Sequence, residues 1–295
     1  MSTEDLRVGD AGIATYVTDP PLDIRLGPRP YLHPIRTLGG VPVTEALPFD
    51  HPWHLGASLA MQDVNGVNFW GGRTYVRDKG YTWLDDHGRI TPDGAGFRWQ
   101  DQAGTTLLTE ERKVSARVAP GGWELRFQYA LSAPATRDIT LGSPATNGRP
   151  GGAGYGGFFW RATPGDAVAY TQSAIGEEAV NGSAAPWLAI RVTPGEEQQE
   201  AVGVQRAVSG VQQAAGAYTL VFRGLRDDDR WFVRTGDYVG VCAALAFERP
   251  LVIPAGTRIT REINVLVADG VAGPPMPPLL RRAVPTPARP VAAPR

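Results

Sequence analysis

Residues 123–131 read WELRFQYAL, and the architecture of the whole chain turns on how this stretch is read. Trp123, Leu125, Phe127, Tyr129 and Leu131 alternate with Glu124, Arg126, Gln128 and Ala130. A period of two belongs to a β-strand with one apolar face on a core and one mostly polar face toward water. The preceding TTLLTEERKVSARV (105–118) is also strand-like, and PGG at 120–122 predicts a hairpin between the two. IATYV (13–17), YTLVF (218–222) and INVLV (263–267) follow the same pattern. The 36 Gly and 26 Pro break such segments at short intervals, which suits many strands joined by turns. No long segment has a helical period; PGEEQQEAV (194–202) is the one place where a short helix is expected.

The expected fold class is therefore all-β: a single large antiparallel β-sandwich over residues 1–270. A Pro/Ala/Arg-rich tail, 271–295, is expected to be disordered because its composition supports neither ladders nor helices. A chain of 295 residues can bury a full core. Its formal net charge of -1 gives no global field for nucleic acid or an anionic membrane, so neither is expected as a partner. No stretch approaches the ~20 apolar residues of a membrane span. The polar start MSTEDLRVGDAG lacks the apolar region of a secretory signal, and the expected location is cytoplasmic. The single cysteine, Cys242, sits among small and apolar residues and reads as a core thiol.

Histidine is scarce, with four in the chain, yet FDHPWHLGASLAMQDVNGVNFWGG (49–72) holds His51 and His54, and RPYLHPIRT (29–37) adds His33. Three positions apart, His51 and His54 would face opposite ways in a straight strand, but Pro52 favours a turn that brings them to one side. Three readings compete. In a structural one, the histidines are hydrogen-bonded at a strand-to-loop corner. In an acid–base one, His51 or His54 is the base or acid, Asp50 or Asp63 orients it, and Arg36 stabilises a developing oxyanion, with Asn65 positioning a polar substrate. In a metal one, His33, His51 and His54 hold a divalent ion as the cofactor; otherwise none is expected. His87 lies in DDHGRI, a turn, and is left outside the site.

Trp53 or Trp70 would provide a platform for the apolar face of a sugar ring, so the expected partner is a small sugar-like ligand. The glycine-rich loop GSPATNGRPGGAGYGG (142–157) has no P-loop Lys-Ser/Thr and is followed by strand-like FFWRATPGD. It is expected to cover or line the pocket, with Asn147 turning the chain and Arg149 or Tyr155 reaching in. The acidic run RDDDRW (226–231) reads as a solvated turn without calcium-loop spacing.

RPYLHPIRTLGGVPVT, DHPWHLGASLAMQDVNGVNFW, GSPATNGRPGGAGYGGFFWR and DYVGVCAALAFERP together resemble the bacterial family of unknown function labelled the PmoA family, over most of the chain to about residue 268. The methane monooxygenase subunit sharing that label is an integral membrane protein, so the label implies no chemistry for a chain without an apolar span. Family members occur among sugar-catabolism functions, and the sandwich resembles that of mutarotase-like enzymes, which open a hemiacetal with a histidine acid and a carboxylate base. Their asparagine–histidine signature before a Phe-Asn pair is missing here, so no catalytic residue is carried across. The resulting expectation is a carbohydrate-active isomerase- or lyase-type enzyme working by His/Asp acid–base chemistry. The alternatives are a non-catalytic sugar-binding β-sandwich module and a His-ligated metal-dependent enzyme.

Overall fold

The computed structural model describes residues 2–195 and 216–271. WELRFQYAL lies inside the strand Gly122–Ser132, paired in register with Thr106–Ala119 on one side and Arg258–Asp269 on the other. Ala119 faces Gly122, so Pro120 and Gly121 make the turn. Gly121 takes φ +86°, which an L side chain rarely adopts. Trp123, Leu125, Phe127, Tyr129 and Leu131 are all at most 2% exposed, as the alternation predicts.

Around this strand an eight-stranded antiparallel sheet runs in the order Asp166–Tyr170, Trp187–Thr193, Tyr218–Arg223, Arg258–Asp269, Gly122–Ser132, Thr106–Ala119, Gly96–Gln100 and Arg89–Asp93. Facing it is a seven-stranded sheet, in the order Thr3–Val8, Ala11–Val17, Tyr31–Ile35, Ala57–Ala60, Gly157–Arg161, Gly240–Ala244 and Arg230–Arg234. One apolar cluster draws on both sheets. Phe127 packs on Phe158 with ring centroids 4.8 Å apart, and Phe222 on Trp160 at 5.8 Å, so aromatic pairs join the layers. Indole N–H groups are matched as burial requires: Trp123 donates to the Arg36 carbonyl, Trp160 to Val43 and Trp231 to Ala185. The architecture is an all-β antiparallel sandwich. Short sheets, Leu251–Ile253 with Ile139–Gly142 and Asp63–Val64, and Thr74–Val76 with Gly80–Thr82, complete it.

Gly157–Arg161 is buried on both faces. Phe158 and Trp160 enter the inter-sheet core, while Phe159 joins a second apolar cluster on the outer face with Trp70, Tyr155, Phe232 and Cys242. Arg161, two residues beyond Phe159, falls on that same outer face. Cys242 is fully buried and its thiol is pushed up to about 12 by burial, in line with a core role.

One sequence expectation needs correction. RDDDRW is not wholly solvated: Asp229 is 3% exposed and accepts from Arg261 Nε and a terminal nitrogen at 2.7 and 3.1 Å. Arg261 sits buried on the neighbouring sheet and requires a carboxylate there, which a reading of local charge density misses. The helix expected at 194–202 falls almost wholly outside the described residues, as does the tail expected at 271–295. Among the described residues no helix is long and apolar enough to cross a membrane.

Candidate functional site

On the outer face of the seven-stranded sheet a cleft of about 500 Å³ opens between the 45–56 and 70–83 segments, the glycine-rich loop and the end of Arg230–Arg234. That size suits a small-molecule site. Its floor begins with a local device. Glu45 pairs with Gly56 and Leu47 with His54 through backbone hydrogen bonds, so 45–56 forms an arm. At its tip the His54 N–H donates to the His51 carbonyl at 2.8 Å, closing a turn with Pro52 at its second position. This turn brings both imidazoles to one side. The rings stack at 4.6 Å and 9° from parallel.

His51 Nδ1 lies 2.8 Å from Asp50 Oδ2. Partial burial pushes the Asp50 carboxyl up, but the hydrogen bond from His51 and the Arg161 guanidinium outweigh it and hold it below the usual range. An ionised carboxylate only accepts, so His51 carries its proton on Nδ1 and leaves a lone pair on Nε2. No described residue hydrogen-bonds that Nε2.

His54 is 2% exposed, and burial, followed by His51, Arg161 and Arg29, drives its pKa well below normal. Arg161 donates to its Nδ1 at 3.3 Å, which places the His54 proton on Nε2 and keeps the ring neutral. Arg161 also reaches both Asp50 oxygens at 3.0 Å and Glu45 at 3.0 Å, and lies over the Tyr238 ring. Tyr238 touches both imidazoles at 5.1 Å, and burial raises its hydroxyl pKa, so it is a neutral donor.

Walls of different character flank the histidines. Trp53 is half-buried and edge-on to His51 at 5.4 Å, with Trp83 beyond it at 6.4 Å. Gly71 and Gly72 take φ +92° and +71°, and a Cβ on either would strike Trp53 at 2.6–2.7 Å, so glycine is what lets this tryptophan seat. On the other wall Tyr81 and Tyr155 share a hydroxyl hydrogen bond of 2.9 Å, and Arg149 donates to the Tyr81 hydroxyl.

A family profile described as "Family of unknown function (DUF6807)" matches residues 3–274. The chain belongs to this family. A search of curated proteins found no match. A solved polysaccharide lyase is similar at TM-score 0.33 and 12% identity, over 88% of this chain and 33% of its own length, a likeness too slight to bear on fold or chemistry. The chain therefore spans about a third of that structure.

In this member of the family the cleft gathers Asp50, His51, His54, Trp53, Trp70, Arg149 and Tyr155 from the residues expected from sequence. The others lie elsewhere. His33 is engaged by Thr44 Oγ1 at 3.1 Å on the strand Tyr31–Ile35, so His33, His51 and His54 do not converge as a metal triad. Among the described residues no three His, Cys, Asp or Glu side chains are grouped to hold a metal. Arg36 turns to the Gly40 carbonyl at 3.4 Å. Asp63 accepts from the Gly66 N–H and from Asn147 Nδ2, at 2.8 and 2.9 Å. Asn65, at φ +49°, bonds the Thr140 N–H and the Asp138 carbonyl. These three polar side chains pin loops together, and that use removes them from the cleft. Trp70 is 2% exposed and packs in the wall, leaving Trp53 as the accessible face.

Sequence reasoning missed Arg161, Tyr238, Arg149's neighbours and Arg29. Arg161 left a trace in the sequence: a guanidinium closing the apolar run GFFWR has to find carboxylates when that strand is buried. Arg29 is fully buried and donates to Ser58 Oγ and to the carbonyls of Gly27, Trp53 and Trp70, all within 2.9–3.1 Å. It ties the backbones of Trp53 and Trp70 from beneath. His87, set aside in the sequence, is likewise a buried support, with Nε2 2.7 Å from the Gly72 carbonyl.

Proposed function

We propose that the cleft binds a small polyhydroxylated molecule of sugar type and that His51, oriented by Asp50, moves a proton to and from it. The observation that carries this reading is the His51 Nδ1–Asp50 Oδ2 contact of 2.8 Å beneath an open cleft, because it leaves Nε2 basic and aimed by a fixed partner. Trp53 offers an aromatic face for a sugar ring, and neutral Tyr238 supplies a hydroxyl beside the histidines. In the simplest reaction Nε2 takes a proton from carbon beside a carbonyl, leaving an enolate. Water in the open cleft then protonates the opposite face and His51 gives its acquired proton to the resulting hydroxide, which yields an epimer. The same pair also suits anomer interconversion, with the proton passing between hydroxyl and ring oxygen.

Arg36 has no part in this reading; guanidiniums from the cleft wall take over the charge stabilisation assigned to it from sequence. His54 acts as a neutral support, stacked on His51 where positive charge develops. A cytoplasmic enzyme acting on oxidised or reducing sugars fits these groups.

The test is solvent-deuterium incorporation and anomer exchange, followed by NMR across a panel of aldoses, ketoses and sugar acids. His51→Ala is expected to abolish exchange while ligand-induced thermal shifts persist. Exchange that survives His51→Ala would falsify the reading. Binding without exchange in the native protein would instead make the cleft a non-catalytic sugar-binding module.

A further inference from the structure

The cleft lining carries three guanidiniums, from Arg73, Arg149 and Arg234, and two carboxylates, from Asp50 and Asp237. Two of these charges are already matched: Asp50 by Arg161 and His51, and Arg234 by Glu177 at 3.5 Å. Arg73 and Arg149 have no ion pair among the described residues. Arg73 is exposed and sits 5.9 Å over the Trp83 ring. Arg149 is partly buried, lies 4.8 Å over the Tyr81 ring and donates to its hydroxyl.

Arg149 is also held in place by its loop. Its N–H donates to the Pro144 carbonyl at 2.8 Å, within a tight turn in which Asn147 and Gly148 bond back to Ser143 and Ala145. The Tyr81–Tyr155 hydrogen bond fixes the ring beneath it, and Tyr155 packs on Trp70 at 4.6 Å. A guanidinium with one edge on a hydroxyl, one face on an aromatic ring and no carboxylate partner is preorganised for a planar anion. The cleft adds no lysine. Asp237, exposed and without an ion pair among the described residues, opposes a dianionic group more strongly than a monoanionic one.

We infer that the ligand is a carboxylated sugar, a uronic or aldonic acid, whose carboxylate is gripped by Arg149 with Arg73 closing over it, while its ring or polyol chain lies toward Trp53 and His51. This inference rests on the proposed function and specifies its substrate class. Arg149 and Arg73 would neutralise that carboxylate and so acidify the neighbouring C–H, which makes the proton that His51 would remove the one beside it.

The test is isothermal titration of the full chain with D-glucuronate, D-galacturonate and D-gluconate. D-glucose, D-galactose, a hexose phosphate and acetate serve as comparisons, at low and at physiological ionic strength. At least one acid is expected to bind more tightly than every neutral sugar and the hexose phosphate, and to weaken as salt rises. Arg149→Met should weaken that acid by roughly tenfold to a hundredfold and leave neutral sugars unchanged. Arg149→Lys should recover part of the loss, since it keeps the charge without the fork. Arg73→Met should cost a smaller factor.

Neutral sugars binding as tightly as the acids, or acids indifferent to both salt and Arg149→Met, would overturn the inference and leave the sugar cleft standing. Tighter binding of the hexose phosphate would assign the guanidiniums to a phosphate and overturn the carboxylate. If a folded protein binds none of these compounds, the sugar reading itself falls. His51→Ala separates the two claims further, because it should stop proton exchange without weakening the acid.

Discussion

The imidazoles of His51 and His54 stack at 4.6 Å, 9° from parallel, yet they are in opposite electrostatic situations. His51 is a third exposed at its side chain and faces a carboxylate, whereas His54 is buried and faces a guanidinium. His54 is thereby suited to refusing a proton.

The refusal sets a pH dependence of stability. With its folded pKa well below the unfolded value near 6.5, His54 binds a proton more readily in the unfolded chain. Its contribution is complete above about pH 6.5 and is lost as pH falls below that value, with a slope of up to about 1.4 kcal/mol per pH unit. His33, lowered by burial and then by Arg36, adds in the same direction. Urea melts between pH 7.5 and 5.5 should show this slope, and His54→Gln should flatten it. An equal slope in His54→Gln would show that other groups account for it.

Asp50 orients the catalytic ring in the proposed mechanism. Asp50→Asn keeps the shape but turns one oxygen into a donor; with Arg161 holding the amide oxygen, the NH2 faces Nδ1 and shifts the His51 proton to Nε2, so turnover should fall by roughly 10²–10⁴-fold with little change in KM. A rise in KM alone would make Asp50 a binding group.

Arg161 ties Asp50, Glu45 and His54 together from a position 4% exposed. Arg161→Met should destabilise the fold by about 3 kcal/mol, the low end for a broken buried pair, because both carboxylates keep contact with water. It should also raise the Asp50 pKa, which carboxyl-labelled NMR would report.

Arg29 is a buried cation matched by carbonyls and one hydroxyl instead of by a carboxylate, and burial lowers its pKa to about 9. Arg29→Met would leave the Gly27, Trp53 and Trp70 carbonyls without this donor. The expected loss is about 3 kcal/mol, with a shift in tryptophan emission from the cleft. Arg29→Lys should recover only part of it, since an ammonium does not reach all the acceptors.

Trp53 and Trp70 should separate in the same way. Trp70→Ala is expected to cost about 3–5 kcal/mol of stability as a core truncation. Trp53→Ala should leave the melting temperature nearly unchanged and weaken ligand binding about tenfold. Equal stability losses in both would remove Trp53 as a ring platform.

Much of this architecture is legible from local chemistry. Alternation in 123–131 places five side chains inward, and the structure buries each of them. The Pro-Gly turn, the strand character of FFWR and the turn within DHPWH follow from φ restriction and side-chain period, which act over a few residues. The position of Arg149 and Tyr155 at the cleft was also readable, from a loop too glycine-rich to pack as a ladder. Asp63, Asn65 and Asn147 show where such reading stops. They are near the histidines in sequence or in a promising loop, but each spends its side chain on a hydrogen bond to a neighbouring turn.

The sequence by itself determined the sandwich, its hairpins and the pairing of His51 with His54, because periodicity and turn chemistry are local properties. Tertiary structure alone decided that Arg161 joins the histidines and that Asp63, Asn65 and Asn147 do not. Asp50 and Arg161 are 111 positions apart, and they meet only because the register of Gly157–Arg161 against Ala57–Ala60 puts Arg161 on the outer face beneath the 45–56 arm. The same register sets Cys242 and Phe159 behind the histidines and lets Arg29 reach two tryptophan carbonyls from below. A shift of one residue in that strand would send Arg161 into the inter-sheet core, since successive side chains of a strand point to opposite faces.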